Sequence, residues 1–227
     1  MLLNKTQIKT LLTMQDDLNK IIDIHWHSKQ HDYMRAIAVE AIEGIEHHGW
    51  KWWKFQQVDL SQLQMEMIDI FHFYLSQILQ MESDNYLEKA IDKANSTYIN
   101  EWNNSEKIVF DGQEYDLNDL SLLQKLDLLC GLACSKKLNF NLFFNICKNI
   151  ELQPQDIYER YVQKNTLNIF RQINGYKQGT YKKIWLNQED NIHLMEIAKT
   201  LDSTSESYAK SLYLKLTEKY CLATIPG

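Results

Sequence analysis

Five carboxylates in two short stretches carry the first chemical signal of this sequence. In EAIEGIEHHGWKWWK, residues 40–54, Glu40, Glu43 and Glu46 recur every three residues, and at ~100° per residue they share one edge of a helix. Ile37, Ala38, Ala41, Ile42 and Ile45 form the opposing apolar stripe. Alone, this is an ordinary amphipathic helix with a solvated acidic face. In SQLQMEMIDIFHFYLSQILQ, residues 61–80, apolar side chains take up most of the circumference and leave Glu66 and Asp69 on a narrow polar stripe. That pattern predicts protein on both sides of them. Enclosed carboxylates must be paired, protonated or metal-bound, and no Lys or Arg occurs from Phe55 to Glu88. Glu40, Glu43, Glu66 and Asp69, two acids from each of two neighbouring helices, are placed to hold a cation. All-oxygen ligation favours Mg²⁺ or Mn²⁺ over zinc, and four acids leave room for two or more ions.

A basic segment lies far downstream, KNTLNIFRQINGYKQGTYKKIW, residues 164–185. Lys164, Asn168 and Arg171 line one helix face, and Asn174-Gly175 ends that helix. Tyr176, Lys177, Tyr181, Lys182 and Lys183 follow in a loop with Gly179. Charge-assisted bonds from Lys and Arg, with glycines that allow close approach, suit a polyphosphate. For Lys182 and Lys183 a solvated helix end is the preferred reading.

The elements that must position these groups are almost entirely helical. Seven glycines and two prolines punctuate 227 residues, and the apolar period is 3.6 rather than 2. The fold class expected is all-α, with helices over about 4–27, 31–48, 60–81, 84–103, 116–136, 138–150, 154–173, 190–202 and 205–222. Asp59 or Ser61 caps the third, Gly175 ends the seventh, and Ser203 or Ser205 opens the last. Residues 104–115 alone have strand and turn character. One domain spanning 1–227, with about 82–150 as a peripheral helical insertion, is the simplest organisation. The formal charge of −6 argues against a nucleic-acid footprint. No apolar run reaches the ~18 residues of a membrane span and no signal peptide is evident, so the expected location is cytoplasmic. Cys130, Cys134, Cys147 and Cys221 read as reduced core thiols.

Together, AIAVEAIEGIEHHGWKWWK, EMIDIFHF and the basic segment followed by EDN at 189–191 resemble the all-α dimeric dUTP diphosphatases, relatives of the MazG-type nucleotide pyrophosphatases. The similarity runs in order along nearly the whole chain and is weakest over about 82–150. It implies a multi-helix bundle of the all-α NTP pyrophosphatase type and a homodimer. It also implies Mg²⁺ held by Glu40, Glu43, Glu66 and Asp69; of these, Glu40 and Glu43 are read as the catalytic carboxylates, with Glu40 as the base. Phosphates would be held by Lys164, Arg171, Tyr176 and Lys177, the deoxynucleoside by Asn168, and uracil by Gln15 and Asn19. The family's LQxxLN appears here with Met14 in place of its Leu. Gln15 and Asn19 are one helical turn apart, and a carboxamide offers the donor and acceptor that match N3–H and O4 of uracil. The implied reaction is hydrolysis of dUTP, and of dUDP, with attack at the β-phosphate to give dUMP.

Rival readings remain open at this point. A relative acting on dCTP or on noncanonical nucleotides would use the same metal site. His27, His31 and Asp32 imitate an HD phosphohydrolase but lack the further ligands that site needs. GIEHHGWK imitates a phosphate loop, with Trp50 in the lysine position. A non-catalytic helical nucleotide-binding scaffold is the remaining alternative. Trp50, Trp52 and Trp53 are expected to pack the helix end, shield the pocket or stack on the base, with core or interface packing the commoner fate of tryptophan.

Overall fold

The computed structural model describes residues 3–98, 106–205 and 207–224. In chain order these form α1 (Lys5–Ile22), α2 (Tyr33–His48), α3 (Leu60–Met81), α4 (Tyr86–Lys93), β1 (Lys107–Phe110), β2 (Gln113–Asp116), α5 (Leu122–Cys134), α6 (Phe140–Asn149), α7 (Pro154–Ile173), β3 (Ile184–Trp185), β4 (Gln188–Glu189), α8 (Asp190–Ala198) and α9 (Tyr208–Thr224). The fold is all-α, with two antiparallel two-stranded hairpins among the described residues. No helix there is long and apolar enough to cross a membrane.

The apolar circumference of α3 puts it at the centre. Leu63, Met67, Ile68, Ile70, Phe71, Tyr74, Ile78 and Leu79 are buried against α1, α2, α6 and α7. Each fully buried side chain of this size stabilises by about 1.5–3 kcal/mol, which offsets the cost of carrying acids on the same helix. At Gly44 α2 passes close to α3: an added Cβ would sit 3.2 Å from Leu63 Cδ1. This contact brings the acidic edges of the two helices together.

The stretch expected as a peripheral insertion contributes to the main core: Leu126, Leu129 and Leu132 of α5 and Phe140, Leu142, Phe143 and Ile146 of α6 join the α3 side chains in one cluster. A second cluster forms at the far end of α7, where Leu167 and Phe170 meet Trp185, Leu194, Leu212 and Leu216.

Most boundaries follow the periodicity, and the departures have local causes. Helix α1 stops at Ile22 rather than near 27, because Asp23 turns extended and its carboxylate accepts the His25 N–H at 2.9 Å. Asp59, not Ser61, caps α3 by accepting the Gln62 N–H at 3.1 Å. The helix expected from 84 begins at Tyr86 and passes into a π turn at Ala94–Tyr98, while 99–103 lie outside the described residues. The helix expected from 116 starts at Leu122, since Asp116 pairs with Lys107 across the first hairpin and Ser121 and Gln124 cap each other. The β3–β4 hairpin is not foreshadowed by the pattern. Its two turn residues, Leu186 and Asn187, have φ of 47° and 65°, a positive pair of the type that closes two-residue hairpins. Two cysteines correct the expectation of core thiols: Cys147 is buried, whereas Cys134 and Cys221 are exposed because they fall on the outer faces of α5 and α9.

Candidate active site

Four helices, α1, α2, α3 and α7, wall a cavity of about 800 Å³. Carboxylate oxygens of Glu40, Glu43 and Glu66 lie within 4.8 Å of one another, and Asp69 lines the same cavity one turn further along α3. Burial, then the charges of Asp69, Glu66 and Glu43, push the Glu40 carboxyl up to about 8. Burial, then Asp69 and Glu43, push Glu66 up to about 7, although its hydrogen bond with Glu40 and the charge of Lys164 act the other way. Three converging carboxylates, Glu66 buried, Glu40 half-buried and Glu43 exposed, are a donor set that fits a hard divalent cation.

Two basic side chains reach this set. Lys164, with its side chain 6% exposed, reaches Asp69 Oδ2 at 2.9 Å, and His47 Nε2 lies 3.3 Å from Glu66 Oε1. Arg171 donates from Nε and Nη2 to the two oxygens of Asp190, both at 2.8 Å. Burial disfavours the Asp190 anion, yet the bonds and charge of Arg171 hold its carboxyl below the usual range. Asn168 accepts from Arg171 Nη1 at 3.3 Å, and Asn191 Oδ1 lies 3.5 Å from Lys164 Nζ and 3.4 Å from Arg171 Nη2. Thus the two cations expected to grip phosphate border one cavity, spaced by amides.

At the opposite end of the cavity Gln15 and Asn19 are buried and joined to each other and to Ser76. Gln15 Nε2 donates to Asn19 Oδ1 at 3.0 Å and to Ser76 Oγ at 2.8 Å, and Asn19 Nδ2 donates to Ser76 Oγ at 3.1 Å. Tyr161 fixes Gln15 from behind, its hydroxyl donating to Oε1 at 2.7 Å. Glu66, Asp69 and Ser76 lie on one face of α3, so the cavity runs along that helix from an acidic end to an amide end.

Of the residues singled out by sequence, Gln15, Asn19, Glu40, Glu43, Glu66, Asp69, Lys164, Asn168, Arg171 and Tyr176 all line this cavity. Lys177 does not: its ammonium donates to the Ile22 carbonyl at 2.5 Å, at the end of α1. The turn at Gly175 directs it there. Gly175 has φ +93°, and an added Cβ would fall 2.0 Å from Thr180 Oγ1, so this turn admits no side chain. Glu46, on the same predicted edge as Glu40, points outward and accepts from Trp50 Nε1 at 2.7 Å and Lys51 Nζ at 2.6 Å. His27 bonds the Leu79 carbonyl and stacks on Tyr86, an arrangement that leaves it out of any HD-type ligand set.

Sequence reasoning gave no role in this site to His47, Ser76 or Asn191, and read Lys183 as a solvated helix end; all four line the cavity. His47 extends the Glu40–Glu43 face by one turn and Ser76 extends the Glu66–Asp69 face by two, so spacing alone could have found both. A family model described as dUTPase matches residues 7–176 of the chain. No curated protein matches it.

Proposed function

We propose that the chain, which belongs to the dUTPase family and hydrolyses dUTP, does so with Mg²⁺ held by Glu40, Glu43, Glu66 and Asp69, releasing dUMP and pyrophosphate. The observation that carries this reading is the convergence of three carboxylates within 4.8 Å at one end of a cavity whose neighbouring wall holds Lys164 and Arg171. A bound divalent cation neutralises phosphate charge and makes water a better nucleophile. Two or more ions are proposed, because one octahedral Mg²⁺ uses only one or two protein carboxylates. Lys164 and Arg171 orient the polyphosphate, Tyr176 borders it, and Asn168 contacts the deoxynucleoside. Glu40 takes the proton from the attacking water. The same contacts serve dUDP, which lacks only the terminal phosphate.

Base choice falls to Gln15 and Asn19. Ser76 and Tyr161 hold the Gln15 amide in place, and a carboxamide carries the donor and acceptor that uracil needs. Initial rates over dUTP, dCTP, dTTP and UTP test this reading. dUTP is expected to lead in kcat/KM, and a preference for dCTP would assign the site to a related pyrophosphatase.

A homodimer is proposed from the aromatic loop after α2. Trp52 is 89% exposed and Phe55 83% exposed, and Trp53, Val58 and Leu60 extend the same apolar stretch, which a second copy would cover. Sedimentation velocity is expected to give a dimer that Trp52→Asp with Phe55→Asp dissociates; a wild-type monomer would refute it.

A further inference from the structure

The geometry points to Asp190 as a positioning residue for the phosphate-binding cations, acting through Arg171, with the Tyr181 hydroxyl as its second anchor; this rests on the reading of Arg171 as a phosphate ligand. Asp190 lies beyond the matched residues 7–176 and is 1% exposed. It meets the guanidinium as a two-point fork: Arg171 Nε donates to Oδ2 and Nη2 to Oδ1, each at 2.8 Å, and Tyr181 donates its hydroxyl to Oδ2, also at 2.8 Å. A guanidinium has five N–H bonds in a rigid plane. With one edge consumed by Asp190, the Nη1 side is left beside Asn168, on a residue that lines the cavity.

The segment after the family match is built to hold that carboxylate still. The Asp190 N–H donates to the Lys183 carbonyl at 2.8 Å, across the β3–β4 hairpin. Trp185 bonds the Lys182 carbonyl through Nε1 at 2.6 Å and stacks on His193, whose Nε2 in turn lies 2.8 Å from the Trp185 carbonyl. Phe170, one residue before Arg171, packs against Trp185, Tyr213 and Tyr220. Helix α7, the hairpin and α9 therefore lock together around one ion pair. A solvated Arg–Asp pair would need no such frame, and the pair here is nearly dry.

The test compares dUTP kinetics of Asp190→Asn, Arg171→Ala, the double variant, Tyr181→Phe and Asp190→Glu, each checked for native circular dichroism. Asp190→Asn is expected to reduce kcat/KM by about 10- to 100-fold, the range for partners that orient a ligating side chain. Its division between KM and kcat should match that of Arg171→Ala, and the double variant should lose no more than Arg171→Ala alone. Asp190→Glu should recover part of the loss. Should Asp190→Asn fail to fold, Tyr181→Phe keeps the ring contacts and is expected to move the same parameter in the same direction by a smaller factor. Wild-type kinetics in a folded Asp190→Asn or Tyr181→Phe, or losses that multiply in the double variant, would overturn the inference. Unchanged dUTP kinetics in Arg171→Ala would instead remove the phosphate role on which it stands.

Discussion

Glu66→Gln is expected to cut kcat for dUTP by at least about 10²–10³-fold, the scale of deleting one preorganised electrostatic group from an active site, while circular dichroism stays unchanged. Glu66 is 7% exposed and sits among Glu40, Glu43 and Asp69, so its charge has no purpose in packing. The amide is isosteric and keeps the wall of the cavity, but it is a far weaker ligand for a hard divalent ion. Asp69→Asn should behave alike in activity. It differs in one respect: it also strips Lys164 of its partner at 2.9 Å, and a nearly buried ammonium left unpaired costs stability. Full turnover in Glu66→Gln would remove the metal-site assignment.

The second large effect is in stability rather than rate. Glu40 and Glu66 have folded-state pKa values raised to about 8 and about 7 from 4.5, by burial first and by their acidic neighbours second. Between about pH 4.5 and 8 the metal-free folded state therefore binds more protons than the unfolded chain, and stability must fall as pH rises through that window. Below the window both states are protonated and the contribution is fully present. Thermal unfolding in a chelator is expected to show Tm dropping from pH 5 to pH 8. Mg²⁺, which binds the ionised form, should raise Tm little at pH 5 and most at pH 8. Glu66→Gln should flatten both trends, and in chelator at pH 8 it should melt no lower than the wild type. An inactive variant that is no less stable is the signature of an acid kept for chemistry. A flat Tm profile in the metal-free wild type would contradict the electrostatic description.

The acidic half of the site was legible because helical spacing is rigid. Once α2 and α3 are helices, Glu40 with Glu43 and Glu66 with Asp69 must each share a face, and the apolar girth of α3 forces its polar stripe inward. Lys164, Asn168 and Arg171 were legible for the same reason on α7. What spacing cannot convey is where the chain goes after a turn. Lys177 lies six residues beyond Arg171 in sequence, yet the left-handed turn at Gly175 sends it to the end of α1. Asp190 is nineteen residues from Arg171 and returns to it through a hairpin of two-residue strands, too short to leave a periodic trace. Glu46 shows a further limit: it shares the predicted edge of Glu40, but two steps of ~60° around α2 rotate it off the cavity face, to Trp50 and Lys51.

The central claim is that four acids from α2 and α3 gather divalent ions against a triphosphate gripped by α7. Phosphorus NMR of dUTP turnover, with Mg²⁺ and with chelator, tests it most directly. The account predicts dUMP and pyrophosphate in Mg²⁺ from the wild type, and no conversion either in chelator or with Glu66→Gln. Equal product release with and without the ion would contradict it.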